Sequence, residues 1–373
     1  VYIMSDKPRN QILKESDEDA LVFSLTDNKQ NGSPKSMICA YVPDEAENNH
    51  QLINLFEIEG TVTSIIDNQD KIYCTAKRSV LKGGETEYKG EIWDILSNTC
   101  IANIDASVNN LTQCNDQLFY STFIPEKRRG NKKSKSMIFQ LDENQSFWKF
   151  TKRNKPIFDT NGHITEMICS GNELYCSVLS GTDEKSRGIW NVFEKERINE
   201  ISANSMCAHE GQIYHSNSYG TYETFTGRKV STTIPEDRKD RIAHDMISYE
   251  RTLYGRYDRM VMDILQGEII PEKYPKETSY AMQGKRDFII YNGTLYTLAS
   301  AERIERTDSE ESYRPIIINS KDTNCKRLDA FKLFKTEERN ILYDTMGEGY
   351  ITLPPNISAI TSVPKSVIKP KMR

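Results

Sequence analysis

The stretch Thr61–Ile104 reads TVTSIIDNQDKIYCTAKRSVLKGGETEYKGEIWDILSNTCIANI, and its pattern decides the fold of the chain. It contains four apolar runs of strand length, at residues 62–66, 72–74, 91–95 and 100–102, with polar or glycine-containing turns between them. A four-stranded meander of this size cannot bury both of its faces alone, so it needs further copies to pack against. The stretch therefore predicts one unit of a repeat protein.

Further copies are marked by a hairpin in which a polar turn leads into an aliphatic residue followed by an aromatic one. The pair recurs at Val22-Phe23, Ile72-Tyr73, Leu118-Phe119, Leu174-Tyr175, Ile213-Tyr214, Leu253-Tyr254, Leu295-Tyr296 and Leu342-Tyr343. Successive pairs lie about 39 to 56 residues apart, and such a period is typical of propeller blades. We therefore predict an all-β chain folded as a β-propeller of four-stranded antiparallel blades, with eight blades by this count and seven as the alternative.

The weakest of the eight predicted blades is the last one, at residues 329–353. Its alternative is a short helix over residues 328–339, where apolar residues recur at helical spacing before a charged run. We expect Val1–Met4 to pair with the last blade and close the ring, because closure removes open strand edges.

A single domain at residues 1–353 is predicted, because turn signals recur evenly and no linker rich in Ser, Gly and Pro divides the chain. The remaining residues, 354–373, hold four prolines and the basic residues Lys365, Lys369, Lys371 and Arg373. We expect this segment to be an extended or disordered basic tail.

The composition narrows the class of protein. A net charge of −5 and a pI of about 5.8 argue against a general nucleic-acid binder but allow a local basic patch. Because the chain has no apolar run of 18 residues and no secretory signal pattern, we expect a soluble protein of the cytoplasm or nucleus. The eight cysteines include no CxxC pair and lie mostly in apolar strand segments, so we predict reduced thiols, no metal and no cofactor.

The third run of the opening stretch supplies a more specific pattern. Residues 93–101, Trp-Asp-Ile-Leu-Ser-Asn-Thr-Cys-Ile, resemble strand c, the polar turn and strand d of the WD-repeat family of β-propellers. Gly162-His163, directly before an apolar run, is similar to the Gly-His start of strand a in that family. Other repeats hold a different residue in place of the tryptophan: Phe139, Tyr222 and Met262.

The resemblance implies a buried hydrogen-bond network among a His, a Ser or Thr, an Asp and a Trp. The residues matching those roles are His163, Ser177 and Trp190 in the fourth repeat, with Trp93 and Asp94 in the second. Because the other repeats lack this set, we expect most blades to be held together by packing alone.

Long insertions between predicted strands b and c fall near residues 26–35, 77–88, 123–135, 179–187 and 300–312. In a propeller these connections emerge on one face, and function usually lies on loops held by a rigid scaffold. The insertion at 123–135 carries six basic residues: Lys127, Arg128, Arg129, Lys132, Lys133 and Lys135. It predicts binding to an acidic protein segment or, alternatively, to the phosphates of RNA or anionic lipid.

No signature of catalysis accompanies this pattern. The five histidines show no HxxxH or HExxH spacing, and neither a nucleophile elbow nor a phosphate-binding glycine loop is present. We therefore expect a non-enzymatic protein without catalytic residues. The preferred function is a scaffold or recognition module that binds protein partners through its b–c loops, by analogy of fold. The alternatives are a phosphate-binding propeller using residues 127–135, and a propeller hydrolase or lyase with its site at the central channel.

Overall fold

The computed structural model describes residues 19–27, 34–44, 49–68, 71–82, 85–125, 134–142, 155–180, 184–230, 243–257, 260–270, 288–291, 294–301, 316–318, 326–327, 339–344, 350–353, 357–364 and 368. These residues are almost entirely β-strand, and a single-turn 3-10 helix covers Glu184–Ser186. Their strands form seven antiparallel sheets, which confirms the prediction of an all-β fold.

The first four sheets each contain four described strands. Sheet 1 is β29 (Ile357–Pro364), β1 (Asp19–Asp27), β2 (Lys35–Asp44) and β3 (Asn49–Glu59). Sheet 2 is β4 (Thr61–Asn68), β5 (Lys71–Lys82), β6 (Glu85–Asp94) and β7 (Thr99–Ile104). Sheet 3 is β8 (Ser107–Cys114), β9 (Gln117–Ile124), β10 (Lys135–Leu141) and β11 (Phe158–Thr160). Sheet 4 is β12 (Gly162–Ser170), β13 (Glu173–Ser180), β14 (Gly188–Asn191) and β15 (Glu196–Asn199).

The last three sheets differ in size. Sheet 5 is β16 (Ser205–His209), β17 (Gln212–Asn217) and β18 (Gly220–Glu223). Sheet 6 is β19 (Asp245–Tyr249), β20 (Thr252–Tyr257), β21 (Met260–Asp263) and β22 (Glu268–Ile270). Sheet 7 is β23 (Phe288–Tyr291), β24 (Thr294–Ala301), β27 (Arg339–Asp344), β28 (Tyr350–Leu353), β25 (Ile316–Ile318) and β26 (Lys326–Arg327).

The first strands of the seven sheets form a closed ring. Neighbouring contacts run from β29 to β4, β8, β12, β16, β19 and β23, and then from β23 back to β29. Each sheet is therefore one blade of a propeller, with strand a at the central channel and strands b, c and d farther out. We number the blades as the sheets are numbered.

The preferred count of eight blades needs correction, because the described residues form seven blades, the number given as the alternative. The pair Leu342-Tyr343 lies in β27, which is hydrogen-bonded to β24, the strand that holds Leu295-Tyr296. The eighth hairpin marker is thus strand c of blade 7, since an aliphatic–aromatic pair suits any half-buried strand. The other seven markers all lie in strand b, as predicted.

Ring closure depends on the C-terminal strand β29. It pairs with β1 from Asp19↔Pro364 to Leu25↔Ile357, and its Val363 is buried in the core shared by blades 1 and 2. Ile357–Pro364 therefore belongs to the propeller and not to the tail that the sequence suggested. This pairing covers an edge that would otherwise be open. Val1–Met4, which we expected to close the ring, lies outside the described residues.

A recurring turn joins strands c and d. In blade 2 the Asp94 Oδ1 accepts the backbone N–H groups of Leu96 and Ser97, at 3.0 and 3.2 Å. Asn191 in blade 4 and Asp263 in blade 6 accept the two equivalent N–H groups of their own turns. The side chain thereby satisfies two backbone donors that the turn leaves without a strand partner.

Buried serines hold successive blades together. The Ser36 hydroxyl of blade 1 donates to the Gly60 carbonyl at 2.7 Å and accepts the Val62 N–H at the start of blade 2. Ser136 makes the same two bonds from blade 3 to blade 4, and Ser177 binds both backbone groups of Ala203 in blade 5. At these three of the seven blade junctions, hydrogen bonds therefore supplement packing, and the expectation that most blades are held by packing alone stays a prediction.

A disulfide adds a covalent link between blades 3 and 4. It joins Cys114 at the end of β8 to Cys169 in β12, with Cα atoms 5.3 Å apart and a sequence separation of 55 residues. Five further described cysteines are free: Cys39, Cys74, Cys100, Cys176 and Cys207. The prediction that every cysteine is reduced is therefore wrong, because neighbouring inner strands bring together two residues that are distant in sequence.

Candidate functional site

The propeller has two ends with different connections. The b–c and d–a connections lie at one end, which we call the loop face, and the a–b and c–d turns lie at the other, the turn face. The b–c connections vary most in length, as the sequence predicted. Most long connections are therefore at the loop face, while the c–d connection of blade 3, residues 142–157, is a long one at the turn face.

Blade 2 carries the most extended b–c connection in the described residues. Strands β5 and β6 pair over ten residues, from Tyr73↔Asp94 to Lys82↔Glu85, whereas β4 pairs with β5 only as far as Lys77 and β7 pairs with β6 only from Gly90. Residues 78–82 and 85–89 therefore project beyond the blade as a two-stranded ribbon. At about 3.4 Å per residue, the ribbon rises about 17 Å. The prediction placed a loop at 77–88, and the structure replaces it with regular strands.

An ion-pair cluster fixes the base of this ribbon. The Arg78 Nη2 lies 2.9 Å from the Glu91 Oε1, and the Arg78 Nη1 lies 3.6 Å from the Glu59 Oε2. Trp93 donates its indole N–H to the other oxygen of Glu91 at 3.0 Å. Both oxygens of the buried Glu91 carboxylate are thus bound, which compensates for the cost of removing its charge from water.

The cluster also connects two blades. The Trp93 ring packs against Phe56 of blade 1, with ring centroids 4.9 Å apart, and Glu59 likewise belongs to blade 1. On the opposite strand of the ribbon, Lys89 lies 3.5 Å from the carboxylate of Asp105. Both strands of the ribbon are therefore held at its base, one through Arg78 and the other through Lys89.

Large apolar side chains are exposed at the loop ends of blades 2 to 5. Their exposed fractions are 36% for Val80, 40% for Tyr88, 39% for Ile124, 47% for Leu179 and 63% for Tyr219. Val80 and Tyr88 belong to the ribbon. Ile124 and Leu179 lie at the loop-face end of strand b in blades 3 and 4, and Tyr219 occupies a tight b–c turn. Contiguous exposed apolar patches mark interaction sites, whereas single exposed apolar residues are common on protein surfaces.

Exposed apolar residues of the turn face have a different environment. Phe193, in the c–d turn of blade 4, makes an edge contact with Phe119 of blade 3 at 5.6 Å between centroids. Phe225, in the same turn of blade 5, makes one with Tyr175 of blade 4 at 5.9 Å. These side chains pack each blade onto the preceding one, so their partial exposure has a structural explanation.

The Tyr219 turn is held in place by its neighbours. Asn217 accepts the backbone N–H of Tyr219 at 2.8 Å, and the hydroxyl of Tyr222 donates to the Tyr219 carbonyl at 3.3 Å. Gly220 follows with φ of 134°, a conformation that a residue with a Cβ rarely adopts. The backbone of Tyr219 is thus fixed while its ring projects from the loop face.

The basic residues predicted to bind a partner lie mainly outside the described residues. These are Lys127, Arg128, Arg129, Lys132 and Lys133. Lys135 begins β10, and its Nζ lies 2.8 Å from the Asp159 Oδ2 in β11. Pro125 and Ser134, the described residues on either side of residues 127–133 in the sequence, lie at the loop face of blade 3.

The predicted network residues make other contacts. Trp190 donates its single N–H to the Ser186 carbonyl at 3.1 Å, and Ser177 donates to Ala203 of the next blade. The His163 Nε2 lies 3.2 Å from the Asn109 Nδ2 of blade 3. The Trp190 indole and the Ser177 hydroxyl each have one hydrogen to donate, and both hydrogens are used in these bonds. Neither is left to donate within the His, Ser and Trp network that the resemblance implied. Trp93 and Asp94 likewise serve the ribbon base and the c–d turn.

Among the titratable groups, His215 in β17 has an altered environment. Burial lowers its pKa to about 4, its ring stacks on Tyr222, and its Nδ1 lies 3.0 Å from the Thr224 hydroxyl. It is therefore neutral at pH 7. The described residues contain no group of three or more His, Cys, Asp or Glu side chains arranged for a metal ion. No helix in this part of the chain has the length and hydropathy to cross a membrane.

Comparison with known proteins concerns the fold alone. No family model matches the chain, and no curated protein matches it. TolB from Acinetobacter baumannii is 12% identical, with a TM-score of 0.43, over 95% of this chain and 70% of that one. An acylaminoacyl peptidase from Pyrococcus horikoshii is 12% identical, with a TM-score of 0.48, over 87% of this chain and 55% of that one. Hsv2 from Kluyvelomyces marxianus is 12% identical, with a TM-score of 0.35, over 72% of this chain and 89% of that one.

Proposed function

We propose that this chain is a recognition propeller that binds a protein partner through its loop face. The observation that carries the proposal is the row of exposed apolar residues on blades 2 to 5, which runs from Val80 to Tyr219. Aromatic anchors on a rigid scaffold provide binding energy at a low cost in conformational entropy. Phe193 and Phe225 of the turn face already pack between blades, so their exposure supports no such role.

The basic residues at 127–133 belong to this proposal as its electrostatic part. In the sequence they fall between β9 and β10 of blade 3, and blade 3 is the neighbour of the blade that carries the ribbon. Charges at the rim of an interface mainly raise the association rate, whereas buried aromatic anchors control dissociation. We therefore assign partner attraction to Arg128, Arg129, Lys132 and Lys133, and retention to Tyr88 and Tyr219.

A binding role is proposed in preference to a catalytic one. The acidic side chains of the inner strands are used to join blades: Glu166 accepts the Met206 N–H at 2.6 Å, and Asp245 accepts the Phe288 N–H at 3.1 Å. We also propose a divergent WD-like propeller, supported by the turn after Trp93-Asp94 and its recurrence at Asn191 and Asp263. The Cys114–Cys169 disulfide favours an oxidising compartment over the cytoplasm or nucleus.

The experiment that tests the proposal compares variants of the two faces. Immobilised protein is exposed to native extract, and retained proteins are quantified for wild type, for the charge reversal R128E/R129E/K132E/K133E, and for Tyr88→Ser with Tyr219→Ser. We expect at least a tenfold loss of a specific partner in both loop-face variants. The loss from charge reversal should shrink as salt rises above about 0.15 M.

Turn-face variants are the matched controls. Asp116→Asn and Glu210→Lys change exposed residues of a–b turns, at positions where φ is 59° and 46°. We expect them to retain the partner at the wild-type level. Loss of the partner in the turn-face variants alone would contradict the proposal. Binding of heparin and RNA without any protein partner would favour the phosphate-binding alternative instead.

A further inference from the structure

We propose that the ribbon of blade 2 is a docking edge to which an extended acidic segment of a protein partner adds as a further β-strand. This inference rests on the proposed function and gives the loop face a specific mode of binding. Strand addition uses backbone hydrogen bonds for affinity and side chains on alternate positions for specificity. It requires an open strand edge, a rigid base and a partner of matching charge.

The open edge belongs to β5. Strand β4 accompanies β5 only to Lys77, where Gly60 lies so close to the Lys77 carbonyl that a Cβ at Gly60 would collide with it. Gly60 has φ of 122°, and there the chain turns away from β5. No described strand pairs with residues 78–82 on that side. An added strand would therefore continue the line of β4 above the blade and face the propeller axis.

The rigid base is the cluster of Arg78, Glu91 and Trp93, which fixes the ribbon before any partner arrives. An edge that is already ordered loses little conformational entropy on binding. Proteins usually protect such edges with proline, bulges or charged side chains, lysine above all, because open edges aggregate, and the basic residues of this edge are a device of that kind. Here the five outer pairs, from Arg78↔Lys89 to Lys82↔Glu85, contain no proline and no shift in register.

The charge of the edge selects the partner. The open part of the edge, residues 78–82, reads Arg-Ser-Val-Leu-Lys, with two basic residues and no acidic one; Arg78 is already paired with Glu91 and Glu59, which leaves the lysine at position 82 as the further positive charge. Opposite charges at directly facing positions stabilise the pairing of two strands. An incoming strand with acidic residues fits this edge, whereas a basic one is repelled.

Tyr88 supplies an apolar contact for such a strand. It lies two residues before Gly90, so both residues face the same side of the ribbon. Gly90 lies directly against Val108 of blade 3, which shows that this side faces blade 3. Tyr88 is 40% exposed and lies on β6 opposite Ser79 of β5, so one strand separates it from the open edge and its ring reaches an added strand only across Ser79. The favoured occupant is an extended polypeptide in which acidic and apolar residues alternate.

The test uses peptide probes in fluorescence anisotropy with the full chain. The first probe is a labelled ten-residue peptide that alternates Glu with Val. The second is the same peptide N-methylated at three consecutive central residues, which removes those N–H donors. The third carries Lys in place of Glu. We expect the first peptide to bind at least ten times more tightly than either of the others.

A trimmed variant is the matched control on the protein. Replacing Ser79–Tyr88 by Asn-Gly removes the ribbon but keeps every pairing of β5 with β4 and of β6 with β7. We expect an unchanged thermal transition and at least a tenfold loss of peptide affinity. In the wild-type chain, amide hydrogen exchange at residues 78–82 should slow when the first peptide is bound, a readout that does not depend on the folding of a variant.

Several outcomes would overturn the inference. They are no binding of the first peptide at 1 mM, equal binding of the N-methylated peptide, equal affinity of the trimmed variant, and displacement of the peptide by single-stranded RNA that binds more tightly. The proposed function can fail separately. If a native partner stays on the trimmed variant but leaves the charge-reversal variant, the loop face binds partners without strand addition.

Discussion

Removal of the Cys114–Cys169 disulfide should lower the free energy of unfolding by an amount that follows from the length of the loop it closes. The bond closes a loop with a sequence separation of 55 residues. In the chain-entropy model, that length gives an unfolded-state entropy loss of about 14 cal/mol/K, or about 4 kcal/mol at 25 °C. We therefore expect Cys114→Ser, Cys169→Ser and reduction of the wild-type protein each to lower the free energy of unfolding by up to this amount.

The assay is urea denaturation followed by tryptophan fluorescence, with and without a thiol reductant. Reductant should lower the stability of the wild-type protein but leave that of Cys114→Ser unchanged, because the variant has no disulfide left to break. Cys100→Ser is a control, since Cys100 is free and partly exposed. Its stability should still respond to reductant as the wild type does.

Two results would refute this reasoning. The first is that all eight cysteines of the denatured, unreduced protein react with a thiol reagent. The second is that reductant destabilises Cys114→Ser as much as wild type. Peptide mapping then identifies the partners directly, because a protease digest of unreduced protein should contain linked peptides that hold Cys114 and Cys169.

Three further predictions concern single side chains. Burial gives His215 a pKa of about 4 in the folded protein against an ordinary value of 6.5, so between these pH values the unfolded chain binds more protons than the folded one. The free energy of unfolding should therefore fall by about 2 kcal/mol from pH 7 to pH 5. His215→Gln should remove this part of the acid sensitivity, as measured by urea titrations at both pH values. Ser177→Ala leaves the buried backbone groups of Ala203 without their partner and should cost about 1–3 kcal/mol by denaturation, whereas Ser218→Ala in an exposed turn should stay within about 0.5 kcal/mol. Glu91→Gln removes the closest charge partner of Arg78 and should lower the free energy of unfolding by about 1–2 kcal/mol. The exposed carboxylate of Glu59 lies 3.6 Å from Arg78, so Glu59→Gln should change stability by less than about 0.5 kcal/mol. Equal effects of the two variants would contradict the assignment of Glu91 to the base of the ribbon.

Strand positions were predictable because they depend on local periodicity. In the seven hairpin markers that lie in strand b, the aliphatic residue, such as Ile72 or Leu253, is buried. The number of blades was not, because Leu342-Tyr343 has the same local pattern in strand c as Leu295-Tyr296 has in strand b. Only the pairing of β24 with β27 distinguishes the two, and pairing is a long-range property.

Other features escaped prediction for the same reason. Cys114 and Cys169 are adjacent only because two inner strands are neighbours, and no sequence spacing indicates this. The closing strand did carry a signal, since Ala359, Thr361 and Val363 alternate with other residues and face the interior. The prolines on either side of that strand favoured a tail instead. The ribbon base combines Arg78 with Glu91, a cross-strand pair that depends on the register of β5 and β6.

The contacts between blades explain how a regular propeller can have a sequence that matches no family model. Ser36, Ser136 and Ser177 all bind backbone carbonyl and amide groups of the next blade. Because the bonds reach backbone groups, they make no demand of their own on the side chains of Val62, Ile164 and Ala203, whereas close packing at Gly60 and Gly162 leaves no room for a Cβ. Each blade can therefore change its own residues without breaking the bond to its neighbour. A network of side chains, such as the one the WD resemblance implied, would instead require several residues to change together. The geometry of the ring is thus kept by backbone groups, while the sequence of each blade and of its loop is left to diverge.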